Sequence, residues 1–455
     1  MDRRTRGGLP RWLRDLGYYG RIFGRGRRAG GEGGPAGVPQ RDAFLVLFAA
    51  ACAAFAFMLD APRAIWEGSL RILFSPANLL TDYVALGGAG AAWLNVAVMS
   101  LSSVLLIRRT RAPVSGPVVA AFFTVAGFSL FGKNLFNSVP IVLGVFLYAK
   151  AARQPMERLI LHCLLGTTLG PLVSEFAFGI GLPYFIGVPA GVLAGAAAGF
   201  ALAPLSVHFM RFHHGFSLYN IGFTAGIVAM LFAAALRAFG VDLRTVAILS
   251  AGNNAVFAPA LMALCAAMLG LGLWLARGRM AQYLKLMKLP GTLPTDFVAA
   301  CGAGVTLVNM GLMGLLSVGY VLLMRGELSG PVMGGVLTVV GFSAMGKHPR
   351  NSIPVVAGVF LAGLATGQTG TPLALLAALF GTTLAPLSGT YGVAAGVAAG
   401  AVHMFLVAGV GFLHAGMNLY NNGFSGGFVA AALYPLLEAL RGMAAARRQG
   451  GEAAP

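Results

Sequence analysis

One polar stretch, rich in glycine and asparagine, occurs twice in the chain. Residues 127–140 are Gly-Phe-Ser-Leu-Phe-Gly-Lys-Asn-Leu-Phe-Asn-Ser-Val-Pro, and residues 341–354 are Gly-Phe-Ser-Ala-Met-Gly-Lys-His-Pro-Arg-Asn-Ser-Ile-Pro. Each stretch separates two apolar segments with a short polar link that ends at a proline. Because glycine and proline interrupt helices, both stretches predict a helix break within an apolar region.

The sequence around these two stretches is also repeated. A shift of 214 residues superposes Thr81-Asp82-Tyr83-Val84 on Thr295-Asp296-Phe297-Val298, and Asn95 on Asn309. Gly-Thr-Thr-Leu at 166–169 recurs at 381–384, and Leu-Tyr-Asn at 218–220 recurs at 419–421. Matches in the same order over such a span indicate a tandem duplication.

The composition indicates a protein that crosses a membrane many times. Apolar residues make up 57% of the chain and charged residues 10%, against about 25% in soluble proteins. The mean hydropathy is +0.79. A soluble chain of this length would lack the polar surface to cover itself, which excludes a set of soluble domains.

Each copy has about seven apolar segments. In the first copy they lie near 43–60, 82–107, 116–131, 138–150, 159–176, 184–204 and 218–236. A crossing needs about 20 residues, so 116–131 and 138–150 are short for one. We therefore expect an all-α polytopic membrane protein whose repeats each have about five transmembrane helices plus a re-entrant half-helix pair. Two full short crossings are the alternative.

The charges divide the chain and orient the repeats. The first 42 residues carry ten arginines against four acids, which predicts a disordered basic arm. In a membrane protein we expect this arm to lie on the anionic cytoplasmic leaflet rather than to bind nucleic acid. The predicted division is a cytoplasmic arm at 1–42, repeat 1 at 43–238, an external linker at 239–256, repeat 2 at 257–440 and a cytoplasmic tail at 441–455.

The loop charges also predict that the two repeats are inverted. Basic residues without acids follow the second segment of repeat 1 (Arg108, Arg109, Arg111) and the first segment of repeat 2 (Arg277, Arg279, Lys285, Lys288). The matching loops of the other repeat are balanced or nearly so. The positive-inside rule fits both sets only if the repeats are antiparallel, with both termini on the cytoplasmic side of a bacterial inner membrane.

Inverted repeats place solute sites near the midplane, where broken helices meet. The substrate or pore candidates are Lys133, Asn134, Asn137, Ser138, Thr167, Thr168, Tyr219, Asn220, Lys347, His348, Asn351, Ser352, Thr382, Thr383, Tyr420 and Asn421, with His213 and His414 as secondary candidates. Asn137 or Ser138, followed by Pro140, is typical of a helix start whose free N–H groups can hold a carbonyl oxygen or an anion.

Each candidate also has a purely structural interpretation. The lysines can extend to opposite membrane faces from ordinary loops, and the threonines can bond the carbonyl one turn back. The asparagines at 220 and 421 can cap helices, and the histidines can lie in loops or at the membrane interface. The four cysteines lie in apolar runs without paired spacing and are expected to be small buried residues.

Enzyme motifs and paired intramembrane carboxylates are absent from the sequence, so we expect no enzyme, no cofactor and no metal site.

The paired Gly-Phe-Ser-x-x-Gly-Lys and Leu-Tyr-Asn-x-Gly-Phe motifs resemble a family of bacterial integral membrane proteins known only as a domain of unknown function. More distantly, Asn-Ser-Val-Pro at 137–140 and Leu-Tyr-Asn at 218–220 and 419–421 are similar to segments of urea transporters.

The urea transporter resemblance implies two inverted halves, trimers, and a pore lined by phenylalanines and a ladder of oxygens in each protomer. The expected function is a channel-like permease for a small polar solute, urea- or amide-like. Lys133, Lys347 and Arg350 are not expected beside a neutral solute. A small anion is therefore a further candidate for the solute. The alternatives are an ion-coupled secondary transporter, perhaps of an anion, and a non-transport membrane protein. The expected partners are the lipid bilayer, the solute and further copies of the chain.

The inverted topology predicts the side of each loop. Reporter fusions after Arg158 and after Lys288 should both report the cytoplasm, and a fusion near Gly370 should report the external side. The first two loops have an excess of basic residues, whereas residues 365–375 carry no charge. If the fusions at 158 and 370 report the same side, the inverted arrangement is wrong.

Overall fold

The computed structural model describes residues 42–77, 80–243, 245 and 247–451. The predicted basic arm, apart from Asp42, lies outside the described residues. Helices account for nearly all of the described chain, and the two repeats contain the same series of helices in the same order.

The first repeat consists of α1 (Ala43–Leu59), α2 (Pro62–Leu73), α3 (Tyr83–Gly87), α4 (Ala89–Thr110), α5 (Gly116–Phe128), α6 (Leu135–Ala151), α7 (Met156–Gly179), α8 (Tyr184–Phe212) and α9 (Asn220–Ala238). The second consists of α10 (Asn254–Ala276), α11 (Ala281–Leu286), α12 (Phe297–Cys301), α13 (Ala303–Leu323), α14 (Gly330–Phe342), α15 (Pro349–Ala365), α16 (Pro372–Tyr391), α17 (Val393–Val410) and α18 (Asn421–Gly451). Two short strands, β1 (Leu80–Thr81) and β2 (Ala247–Ile248), pair in parallel.

The fold class expected from the sequence is confirmed. Among the described residues, nine helices are long and apolar enough to cross a membrane, and the bent pair α1–α2 raises the number to ten. Each repeat thus has five crossings, namely its first, fourth, seventh, eighth and ninth helices. The helices α5 and α14 have 13 residues each, about 20 Å, and α6 and α15 have 17 residues, about 25 Å. All four are shorter than the roughly 30 Å hydrocarbon core and form the two half-helix hairpins.

Several boundaries differ from the expected ones. The helix α2 turns by 113° from α1 and was not predicted, because its mixed apolar and charged sequence resembles a loop in a hydropathy scan. The linker is shorter than 239–256, since α10 begins at Asn254. The last helix, α18, continues past the predicted end at 440 to Gly451. All four cysteines are buried and unpaired.

The equivalent helices α5 and α14 pack against each other at the centre in opposite directions. Every residue of both helices is buried. A Cβ atom added at Gly127 would lie 2.6 Å from the carbonyl oxygen of Gly334, and one at Gly334 would lie 2.7 Å from that of Gly127. The start of α5 lies beside Ala344 and the start of α14 beside Leu130. This antiparallel pairing of equivalent helices is what inverted repeats produce.

Two aspartates join the repeats at the ends of this helix pair. Asp82 caps α3 and also accepts the backbone N–H of Gly330 at 2.9 Å. Its equivalent, Asp296, caps α12 and accepts the N–H of Gly116 at 3.1 Å. Each repeat thus supplies the acceptor for the first N–H of the other repeat's half-helix, where an acidic group is also favoured by the helix dipole.

The glycine contact between α5 and α14 predicts a packing-sensitive position. Gly127→Ala should lower the free energy of unfolding by about 1–3 kcal/mol, because the methyl group would force the two helices apart. The matched control is Gly270→Ala in α10, where a Cβ meets nothing within 4 Å and should be neutral or stabilising. Unfolding titrations in detergent provide the measurement, and equal stability of both variants would contradict the close helix contact.

Candidate solute site at the repeat interface

The break between α5 and α6 is held by a reciprocal pair of side chains. The side-chain oxygen of Asn134 accepts the backbone N–H of Asn137 at 3.0 Å, and Asn137 Oδ1 accepts the N–H of Asn134 at 3.0 Å. Asn137 Nδ2 also donates to the Gly132 carbonyl and to the Ser174 hydroxyl. This capping box satisfies N–H groups that the helix start leaves free, in an interior without bulk water.

The equivalent break between α14 and α15 uses a histidine in place of the first asparagine. His348 Nδ1 accepts the N–H of Asn351 at 3.3 Å, and Asn351 Oδ1 accepts the N–H of His348 at 2.9 Å. Asn351 Nδ2 donates to the Gly346 carbonyl, and His348 Nε2 donates to the carbonyl of Leu289 at 2.9 Å. The imidazole therefore also ties the break to the segment that follows α11.

The predicted helix starts at Asn137 and Ser138 are wrong. The caps are Asn134 and His348, and Pro140 lies inside α6 rather than in a first turn that starts at Asn137. The reason is that each cap accepts the N–H of the third helical residue. In α6 that third residue is Asn137, which the sequence pattern took for the cap itself. Asn137 therefore has its donors and its acceptor engaged within the protein, and so does Asn351.

Two residues that stabilise the breaks were not among the sequence candidates. Asn95 Nδ2 donates to the carbonyls of Ser129 and Lys133 at 2.7 and 2.8 Å. Asn309 Nδ2 donates to the carbonyls of Ser343 and Lys347, both at 2.7 Å. The match between Asn95 and Asn309 in the repeat was the available signal, since a polar side chain kept in both copies of an apolar helix needs a buried partner.

The two lysines are fully buried, which excludes the interpretation that they extend to the membrane faces. Lys347 donates from Nζ to the hydroxyl of Tyr219 and lies 4.5 Å from the centre of that ring. Lys133 lies 5.4 Å from the centre of the Phe128 ring, and its Nζ has no hydrogen-bond partner among the described residues. The lysines follow the C-terminal ends of α5 and α14, so they stand at opposite ends of this helix pair.

An aromatic cluster occupies the space between the two lysines. The rings of Tyr219 and Tyr420 lie 4.7 Å apart, and each also packs against a phenylalanine, Phe342 and Phe128 respectively, at 4.6 Å. We call these four residues the aromatic centre. All four are at most 1% exposed, so the centre is closed to both sides of the protein.

Reciprocal hydrogen bonds join the two repeats at the aromatic centre. Thr383 Oγ1 accepts the N–H of Tyr219 at 3.0 Å, and Thr168 Oγ1 accepts the N–H of Tyr420 at 3.1 Å. The carbonyls of the same two threonines accept the N–H groups of Leu218 and Leu419, respectively. Thr168 and Thr383 therefore hold the tyrosines in place across the interface, in addition to any contact with a solute.

The other threonines of these pairs differ in their contacts, since Thr382 also hydrogen-bonds the side chain of Tyr219. Thr167 and Thr382 bond the carbonyl three residues earlier, as threonines in membrane helices commonly do. Each also lines an apolar lateral groove together with Ser138 or Ser352. The groove of Thr167 has a volume of about 540 Å³ and that of Thr382 about 200 Å³. Two equivalent grooves thus flank the centre, and Thr382 lies between its groove and the side chain of Tyr219.

The histidines at 213 and 414 brace the turns before α9 and α18. His213 Nε2 donates to Asn220 Oδ1 at 3.0 Å, and His414 Nε2 donates to Asn421 Oδ1 at 3.0 Å. Both rings are fully buried, and both residues lie in the loops that were expected as one of their two locations. Asn220 is the first residue of α9 and its side chain reaches back to α8, so it does not cap the helix.

A family model described as "Protein of unknown function (DUF1576)" matches residues 61–238 and 276–439. The chain belongs to this family. The two matched regions lie within the two structural repeats and cover α2 to α9 and α11 to α18, the last in part. No curated protein and no solved structure matches the chain. The similarity to urea transporters is not shown by these comparisons and stays an expectation.

The hydrogen bonds of the breaks predict a structural role for the paired asparagines. Asn137→Ala should lower the free energy of unfolding by about 1–3 kcal/mol, because the Asn134 N–H and the Gly132 carbonyl lose their partner. Asn351→Ala should cost a similar amount, since its bonds are equivalent. Unfolding titrations of both variants test this, and a variant with normal stability but impaired solute binding would show a direct solute contact instead.

Proposed function

We propose that this protein is a permease that moves a small polar solute across the membrane along the interface of its two repeats. The observation that best supports this proposal is the buried, pseudo-symmetric centre, where a lysine from each broken helix flanks an aromatic cluster. Buried ionisable residues in membrane helices are costly and are typical of solute pathways. Inverted repeats place such pathways where their broken helices meet.

The closed aromatic centre favours a gated path over a permanently open pore. The rings of Tyr219 and Tyr420 are in contact, and neither is more than 1% exposed. Passage therefore requires these rings to separate. Reciprocal bonds to Thr168 and Thr383 couple the two tyrosines to opposite repeats, so a relative movement of the repeats would open the centre.

The resemblance to urea transporters supports a urea- or amide-like solute, and the two lysines support a small anion. Saturating, gradient-dependent uptake would favour an ion-coupled transporter, and fast, nearly linear flux a channel. The proposal includes a bacterial inner membrane with both termini cytoplasmic, on the evidence of the loop charges. It also includes a homo-oligomer, a trimer if the likeness to urea transporters extends to assembly.

The aromatic centre predicts where a substitution opens the path. Tyr219→Ala should raise the passive flux of small solutes in proteoliposomes, because it removes one of the two rings that close the interface. Tyr184→Ala is the matched control, since Tyr184 is 74% exposed at the start of α8 and should leave the flux unchanged. Light-scattering or tracer flux with urea, formamide, formate and nitrate measures the effect.

Two results would contradict the proposal. If wild-type proteoliposomes pass none of a broad panel of small solutes, the protein is not a permease of this class. If Tyr219→Ala and Tyr420→Ala both fold and keep the wild-type flux, the path does not cross the aromatic centre. The lateral grooves that contain Thr167 and Thr382 would then be the next location to test.

A further inference from the structure

Lys133 is a buried lysine whose amine has no counterion. Its side chain is 0% exposed, and its Nζ has no hydrogen-bond partner among the described residues. The ion pairs found in the described part of the chain are Arg63 with Glu67 and Arg108 with Asp42, and neither includes a lysine. The ring of Phe128 at 5.4 Å offers only a weak cation–π contact. An unpaired buried ammonium is strongly unfavourable unless a ligand supplies the missing charge.

The equivalent lysine has a partner that Lys133 lacks. Lys347 Nζ donates to the hydroxyl of Tyr219. The pseudo-symmetric counterpart of that hydroxyl, on Tyr420, donates instead to Thr124 Oγ1 at 3.2 Å. One ammonium is therefore engaged by the aromatic centre while the other is free, although both breaks share the same backbone bonds from Asn95 and Asn309.

We propose that Lys133 binds a small monovalent anion and that Lys347 forms the equivalent half-site at the other end of the aromatic centre. The inference rests on the proposed permease function and names the class of its solute as anionic. In the described conformation Lys133 Nζ has no hydrogen-bond partner among the described residues, whereas the hydroxyl of Tyr219 engages Lys347. Movement of the tyrosines would exchange the two states and pass the anion across the centre.

The hydrogen-bond donors that Lys133 leaves unused fit an anion better than an amide. A urea-like solute has N–H groups that need acceptors, but an ammonium group offers donors alone. The amide groups that could serve as acceptors, on Asn137 and Asn351, are already bonded within the two breaks. Because Lys133 is fully buried beside the Phe128 ring, an ion that reaches it must be small, such as nitrate, formate or chloride.

The test measures anion binding and flux with the full-length protein. Sodium nitrate, sodium formate and sodium chloride should raise the melting temperature of the purified wild type, because a ligand that binds only the folded state stabilises it. Sodium gluconate serves as the control for ionic strength, and urea at low concentration as the neutral solute. Lys133→Met should weaken anion binding and flux about 10- to 150-fold, the range for one charged hydrogen bond.

Lys150→Met is the matched control, because Lys150 is exposed near the end of α6, the helix that follows the break with Lys133, and should keep the wild-type affinity. Tyr219→Phe removes the hydroxyl that engages Lys347 and should raise the anion affinity. An unchanged affinity in Tyr219→Phe would overturn the assignment of Lys347 as a half-site. If Lys133→Met does not fold, Lys133→Gln replaces it.

The outcomes separate this inference from the proposed function. Equal anion affinity in wild type and a folded Lys133→Met variant would overturn the anion site. Wild-type flux of urea with no melting-temperature shift from any of the three anions would also overturn it, while the permease proposal would stand. Anion binding that depends on Lys133, without flux of any solute, would support the site and reject the permease.

Discussion

The structure depends on one constraint, namely that backbone polar groups in a membrane interior must find partners within the protein. Two helices are interrupted near the centre, and each interruption frees N–H and carbonyl groups. Asn134 and Asn137 satisfy the first break, His348 and Asn351 the second, and Asn95 and Asn309 bond the carbonyls on either side of each. These side chains make the breaks stable, and the breaks in turn place a lysine at each end of the α5–α14 pair.

The second principle of the architecture is reciprocity between the repeats. Each repeat supplies the aspartate that bonds the first N–H of the other repeat's half-helix, and the threonine that holds the other repeat's tyrosine. Each repeat therefore depends on the other to bond a half-helix start and a tyrosine N–H, which makes the duplication one folding unit rather than two domains. The same reciprocity gives a mechanical basis for gating, since a shift of one repeat changes the contacts of both tyrosines.

The departure from symmetry is as informative as the symmetry. The rings of the aromatic centre are arranged equivalently, but the hydroxyls of Tyr219 and Tyr420 have different partners. One lysine is engaged and the other is free. A carrier with alternating exposure requires two equivalent half-sites in different states, as proposed for the two lysines. A pair of identical, permanently open sites would suit a pore instead.

The sequence by itself determined the membrane class, the duplication and the inverted order, because hydropathy, repeat matches and loop charge are properties of the chain read residue by residue. It also identified most of the central side chains, including Lys133 and Tyr219. It misplaced the cap of α6 by three residues, because Asn134 and Asn137 are both capping residue types, and it omitted Asn95, whose partners Ser129 and Lys133 are distant in the chain. Only the tertiary structure separated Thr168, at the centre, from Thr167, in a lateral groove. Adjacent residues of a helix point in different directions, and which direction faces the other repeat is decided by packing.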